Sequence, residues 1–110
     1  MLKSLNPQLT TILSELRHRL ENLYASQLTD VILFGSQARG EALAESDIDV
    51  LIVLKAPFDY SQEIERTSQL VADLSLKYQT VLSRAFIEPE RLEQEQSPFL
   101  RNVRREGISL

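Results

Sequence analysis

Apolar residues recur at three- and four-residue intervals early in the chain: Leu9, Ile12, Leu13, Leu16, Leu20, Leu23 and Tyr24. This spacing lays one apolar stripe along a helix, with His18 on the opposite face. Asn6-Pro7 reads as its N-cap and first helical residue, because proline gives up only an amide that no helical carbonyl would receive. The period then changes. Asp30 to Phe34 (DVILF) is a short β-branched and aromatic run ending at Gly35, a first strand. Ile48 to Leu54 (IDVLIVL) is apolar on both faces, as in a central strand covered on both sides. Pro57-Phe58-Asp59 stops it, and Asp59 with Gln62 suits a capping box. Ile64, Thr67, Val71, Leu74 and Tyr78 mark the buried face of the helix that follows. Thr80 to Ile87 reads as a third strand, closed by Glu88-Pro89, and ERLEQEQ as a polar linker. Ser97-Pro98 begins a last helix, with Phe99, Leu100 and Val103 inward and Gly107 as its stop. The order α, β, short turn-helix, β, α, β, α predicts a single α/β (α+β) domain over residues 1–110, a small mixed β-sheet flanked by helices.

Composition narrows the picture. The 110 residues are 43% apolar and 25% charged, as in an ordinary globular domain. With no cysteine, neither a disulfide framework nor a thiolate metal site is available. No apolar run approaches a membrane span and no signal-peptide core stands at the N-terminus, so a cytoplasmic location and no membrane partner are expected. A formal charge of −4 opposes direct nucleic-acid binding, which needs a basic face. It leaves room for a small anion held through a metal.

The chemistry concentrates in LFGSQARGEALAESDIDVLIVL, Leu33 to Leu54. Gly35 directly follows a strand, where the backbone must turn sharply and let another group come close. Ser36 then opens a predicted helical turn, whose hydroxyl and first amides suit a phosphate oxygen. After ten intervening residues, Asp47 and Asp49 stand two apart at a strand mouth, so both carboxylates point to one face. Paired carboxylates repel each other, and each is costly beside an apolar core. A hard divalent cation such as Mg²⁺ relieves both problems, since it takes carboxylate oxygens and substrate phosphates together. A phosphate cradle facing a metal-binding acid pair is equipment for phosphoryl or nucleotidyl transfer.

Gly35-Ser36, ten residues and Asp47-Ile48-Asp49 resemble the GSx10DxD signature of the polymerase β nucleotidyltransferase superfamily. Within it the chain is most similar to the minimal nucleotidyltransferases (MNT domains, MntA-type antitoxins) encoded beside HEPN-domain proteins. The resemblance implies ATP as substrate and Mg²⁺ as cofactor. It assigns Asp47 and Asp49 to catalysis and the metal, and Gly35, Ser36 and Arg39 to the nucleotide. It also implies AMP transfer to a hydroxyl, a tyrosine, of a partner HEPN-type toxin in a hetero-oligomer, which silences the toxin. One position departs from the pattern. A third carboxylate is usual on the next core strand, and the alignment puts Gln79 there, with Glu88 past the strand's far end. Glutamine cannot act as a base at neutral pH. The alternative is therefore a catalytically impaired nucleotide-binding antitoxin that neutralises its partner by complex formation. A chain this short has no residues to spare for an acceptor-binding domain, so the acceptor is expected on another protein. Arg101, Arg104 and Arg105 read as a solvated helix face, and Tyr24, Tyr60 and Tyr78 as packing residues.

Overall fold

A computed structural model describes residues 7–40 and 47–110. The expected N-cap Asn6 and the loop running to Ser46 lie outside them. Helix α1 (Pro7–Tyr24) passes through a single 3-10 turn into β1 (Leu28–Phe34), followed by the short α2 (Ser36–Arg39). Strand β2 (Ile48–Leu54) leads to α3 (Tyr60–Tyr78) and β3 (Leu82–Ile87). The chain closes with α4 (Pro89–Gln94), α5 (Pro98–Glu106) and β4 (Ile108–Ser109).

The four strands form one mixed sheet in the order β3-β2-β1-β4. β1 runs antiparallel to both β2 and β4, and β2 runs parallel to β3 through the α3 crossover. β2 is central, as its apolar run requires, and six of its seven residues are buried. Alternation divides these side chains between two cores. Val31, Leu33, Ile48, Val50, Ile52 and Leu54 meet the α1 stripe and α3 on one face. On the other face, Ile32, Leu51, Val53 and Ile87 meet Leu100 and Val103 of α5. In α1, Leu13, Leu16 and Leu20 are almost wholly buried, each contributing about 1.5–3 kcal/mol. Leu23 departs from the expected stripe and lies exposed, whereas His18 faces solvent as expected.

Both predicted caps with described residues are present. The Asp59 side chain accepts from the Gln62 amide, and Ser97 from that of Leu100. Elsewhere the chain departs from the pattern reading. ERLEQEQ is not simply a linker: Pro89 stands at the first position of α4, where its missing amide costs nothing. Phe99 is half exposed, although its ring meets Phe34 edge-on at 5.3 Å. Gly107 ends α5 in extended backbone at φ −67°, not in a left-handed turn. A side chain there would collide with the Val103 carbonyl and with Ile32. That close approach lets β4 join β1, where the Leu110 amide donates to the Val31 carbonyl and Ser109 to Asp30. Arg17 donates to the Leu110 carbonyl at 2.8 Å.

Packing on α3 is also more polar than its periodicity implies. Glu63 is buried beside Thr67, and the Tyr24 hydroxyl donates to Glu63 Oε1 at 2.7 Å. Burial and this carboxylate push the Tyr24 phenol well above its ordinary pKa. Arg84 reaches over from β3 to the Thr67 hydroxyl and the Ile64 carbonyl. No described helix is long and apolar enough to cross a membrane.

Candidate active site

Ile48 sets the geometry of the acid pair. Its side chain is buried in the α1/α3 core, and its amide donates to the Val81 carbonyl at 2.9 Å. With Ile48 fixed downward, alternation sends Asp47 and Asp49 to the opposite face. Asp47 is exposed just before β2, while Asp49, its second residue, is half buried. Asp49 stands opposite Phe34 in the antiparallel register, so the next residue along β1, Gly35, lies beside the carboxylate.

The approach is close. A Cβ added at Gly35 would come within 2.7 Å of Asp49 Oδ2. Gly35 has φ +76° and ψ −159°, a conformation almost confined to glycine. Its carbonyl accepts from the amides of Ala38 and Arg39, which closes α2 as a tight turn. The turn and the acid, fourteen positions apart in sequence, are thus neighbours in space. The Asp49 carboxyl is pushed above the ordinary range, first by burial and then by the charge of Asp47. Asp49 therefore feels both its burial and its neighbour, and each makes it harder to ionise.

Ser36 opens α2, half buried, and Arg39 ends it. Arg39 Nη1 lies 3.4 Å from Glu106 Oε2, which ties α2 to the end of α5. The third-acid position needs correction. Gln79 is not on the strand; it caps α3 in left-handed backbone at φ +53°. β3 starts at Leu82, and the residue paired with Asp49 is Ser83. Parallel partners share a face, so Ser83 and then Ala85 flank Asp49 where a carboxylate was expected. Glu88 lies beyond the strand, as its position implied. Among the described residues no cluster of three or more His, Cys, Asp or Glu side chains is arranged to hold a metal. The available donor set is the Asp47/Asp49 pair of hard oxygens.

A cleft of about 170 Å³ opens next to this turn, between β1, α2 and α5. Gly35 and Arg39 form one wall, and Phe99, Asn102 and Glu106 the other. Sequence reasoning missed this wall. The signal available was the amphipathic SPFLRNVRRE helix, but nothing in its pattern says which residues stand over the Gly35 turn.

Comparison with known proteins bears on the family and the fold. A family model described as "Nucleotidyltransferase domain" matches residues 13–107. A Methanocaldococcus jannaschii protein named "Putative protein adenylyltransferase" is 39% identical over 97 residues, covering 86% of this chain and 90% of its own. The fold matches the structure of a Sulfolobus solfataricus protein named "putative nucleotidyltransferase" with TM-score 0.62 at 19% identity, over 93% of this chain and 81% of that one. It also matches a chain from the complex of tri-AMPylated Shewanella oneidensis HEPN toxin with MNT antitoxin. There the TM-score is 0.55 at 16% identity, over 93% of this chain and 70% of that one. With a glycine turn packed on the second acid of an Asp-x-Asp pair, and a family match spanning most of its length, this chain belongs to the nucleotidyltransferase domain family.

Proposed function

We propose that the protein transfers AMP from ATP to a hydroxyl, most simply a tyrosine, of a HEPN-type partner protein and acts as its antitoxin. The observation that carries this reading is the contact between Gly35 and Asp49, which brings a phosphate-sized turn and an acid pair together. The relative named a protein adenylyltransferase and the structural likeness to an MNT antitoxin complex support it.

The site fits Mg²⁺ by its donor chemistry. Asp47 and Asp49 offer carboxylate oxygens on one face, and the mutual repulsion and burial that hinder Asp49 ionisation are what a divalent charge offsets. When bound, the ion supplies positive charge to the phosphates and orients them. The rest falls to the chain. Gly35 leaves room beside Asp49 that a side chain would fill, and Ser36 and Arg39 hold the terminal phosphates. In the reaction the acceptor oxygen bonds to the α-phosphorus, the bond to the bridging oxygen breaks, and pyrophosphate departs. The hydroxyl gives up its proton to solvent water as the new bond forms.

The pair at Asp49 and Ser83 favours a second reading. With a serine where a carboxylate base would stand, the protein binds nucleotide and neutralises its partner by forming a complex. One experiment separates the two. The protein, its partner, ATP and Mg²⁺ are incubated together and the partner is weighed. A gain of one or more AMP units supports transfer. An unmodified partner that elutes with the protein in a stable complex supports the binder.

A further inference from the structure

Glu106, the last residue of α5, is held between two arginines. Its Oε2 lies 3.4 Å from Arg39 Nη1, and its Oε1 lies 3.2 Å from Arg105 Nη2. Arg39 belongs to α2 and Arg105 to α5, so one carboxylate bridges both elements. Gly35, Arg39 and Glu106 line the same cleft, beside the turn that packs on Asp49. Arg105, largely exposed at the rim, makes a second contact, donating a 2.9 Å hydrogen bond to Oδ1 of Asn102, which lines the cleft. The Glu106 carboxyl is held below the ordinary range, by Arg105 first and by Arg39 as well.

We infer that Glu106 is a stand-in anion, occupying between Arg39 and Arg105 the place taken by the terminal phosphates of the bound nucleotide. This deepens the nucleotide reading above and rests on it. A carboxylate and a phosphate present the same oxygen edge to a guanidinium, and phosphate brings more charge. The ion pairs around Glu106 are partly exposed, and such pairs are weak enough to be exchanged cheaply. Arg105 thereby becomes a second phosphate ligand contributed by α5. In the nucleotide-free protein the single carboxylate offsets part of the charge of both cations.

The test measures binding of ATP and of inorganic triphosphate, each with Mg²⁺, by calorimetry on the full chain. Glu106→Gln keeps the shape and removes the charge. It is expected to tighten both ligands by about two- to fivefold, since the two ion pairs it releases are exposed and weak. Adenosine, which lacks phosphate, should show no such gain. Arg105→Ala should weaken both phosphate ligands. In the Arg105→Ala/Glu106→Gln double variant the gain should shrink. Wild-type binding that neither Glu106→Gln nor Arg105→Ala changes would overturn this inference alone. So would weaker binding in Glu106→Gln with an unaltered unfolding midpoint, because Glu106 would then be a strut for Arg39. If the wild type bound neither ATP nor triphosphate, the nucleotide reading would fall with it.

Discussion

Replacing Gly35 by alanine should separate stability from function at the proposed site. Two costs arise. The first is in the backbone, where φ +76° and ψ −159° are nearly closed to an L-residue and cost about 1–3 kcal/mol. The second is contact, because the new Cβ would lie 2.7 Å from Asp49 Oδ2 and 3.6 Å from its Cγ. That oxygen is the mobile end of a side chain. Rotating it off its preferred angle costs only about 0.5–1.5 kcal/mol. Together they give a loss of about 1.5–4.5 kcal/mol, which a domain with roughly 5–15 kcal/mol of stability survives. Gly40→Ala is the control. Gly40 also has positive φ, in left-handed backbone, but an added Cβ meets nothing within 4 Å, so only the backbone cost of about 1–2 kcal/mol applies. Urea unfolding of Gly35→Ala, Asp49→Ala and the double variant forms a cycle, and its coupling energy should be about 0.5–1.5 kcal/mol. Nucleotide transfer should suffer far more than stability, since the displaced carboxylate is the one assigned to the metal. The reasoning fails if Gly35→Ala unfolds no more easily than Gly40→Ala and the cycle shows no coupling to Asp49.

Other outcomes follow from the same geometry. The Asp47→Asn/Asp49→Asn double variant should lose AMP transfer to the partner while its circular dichroism stays that of the wild type; transfer at the wild-type rate would remove the acids from the mechanism. In metal-free protein Asp49 should titrate above the ordinary aspartate range, read from its side-chain carboxyl carbon by NMR. Asp47→Asn should bring that titration down only partway, because burial is the larger cause. The sign for stability follows: with its folded pKa raised, Asp49 favours the fold below the unfolded value, and this contribution is lost as pH rises through the folded one. Asp49→Asn should accordingly raise the melting temperature of the metal-free protein at neutral pH. Tyr24→Phe removes the hydroxyl that donates to buried Glu63, and should cost about 1.5–3 kcal/mol in urea unfolding. A loss below about 0.5 kcal/mol would mean that Arg66 or water satisfies Glu63 instead.

Much of this was legible in the chain because the relevant signals are local. A 3.6-residue period exposes α1 and most of α3, and a two-sided apolar run exposes β2. Asp59 and Ser97 announce their helices by the chemistry of a cap. What stayed hidden depends on tertiary context. β4 has only two residues, too few for any period, and exists because Gly107 lets α5 close onto β1. Thr80 and Val81 look like strand residues, yet the Thr80 amide bonds back to the Ser75 carbonyl and finishes α3. That shift moved the residue beside Asp49 from the expected Gln79 to Ser83. Pro89 was ambiguous, since proline marks both the end of a strand and the first turn of a helix. Glu63 belongs to the solvent face on charge alone; its burial depends on Tyr24, thirty-nine positions away, and on the Arg66 guanidinium 3.6 Å from the same oxygen. At the site, alternation placed both acids on one face and the glycine turn near them. The α5 wall with Asn102 and Glu106 could not be read, because nothing local links it to Gly35.

Under the proposed function, Asp47 and Asp49 share a divalent ion with phosphates held at the Gly35 turn. Paramagnetic Mn²⁺ titrated into isotope-labelled protein with ATP tests it most directly, since amide signals broaden with proximity to the ion. The account predicts broadening centred on Gly35, Ser36 and Asp47 to Asp49, and its loss in the Asp47→Asn/Asp49→Asn variant. Broadening centred elsewhere, or unchanged in that variant, would contradict it.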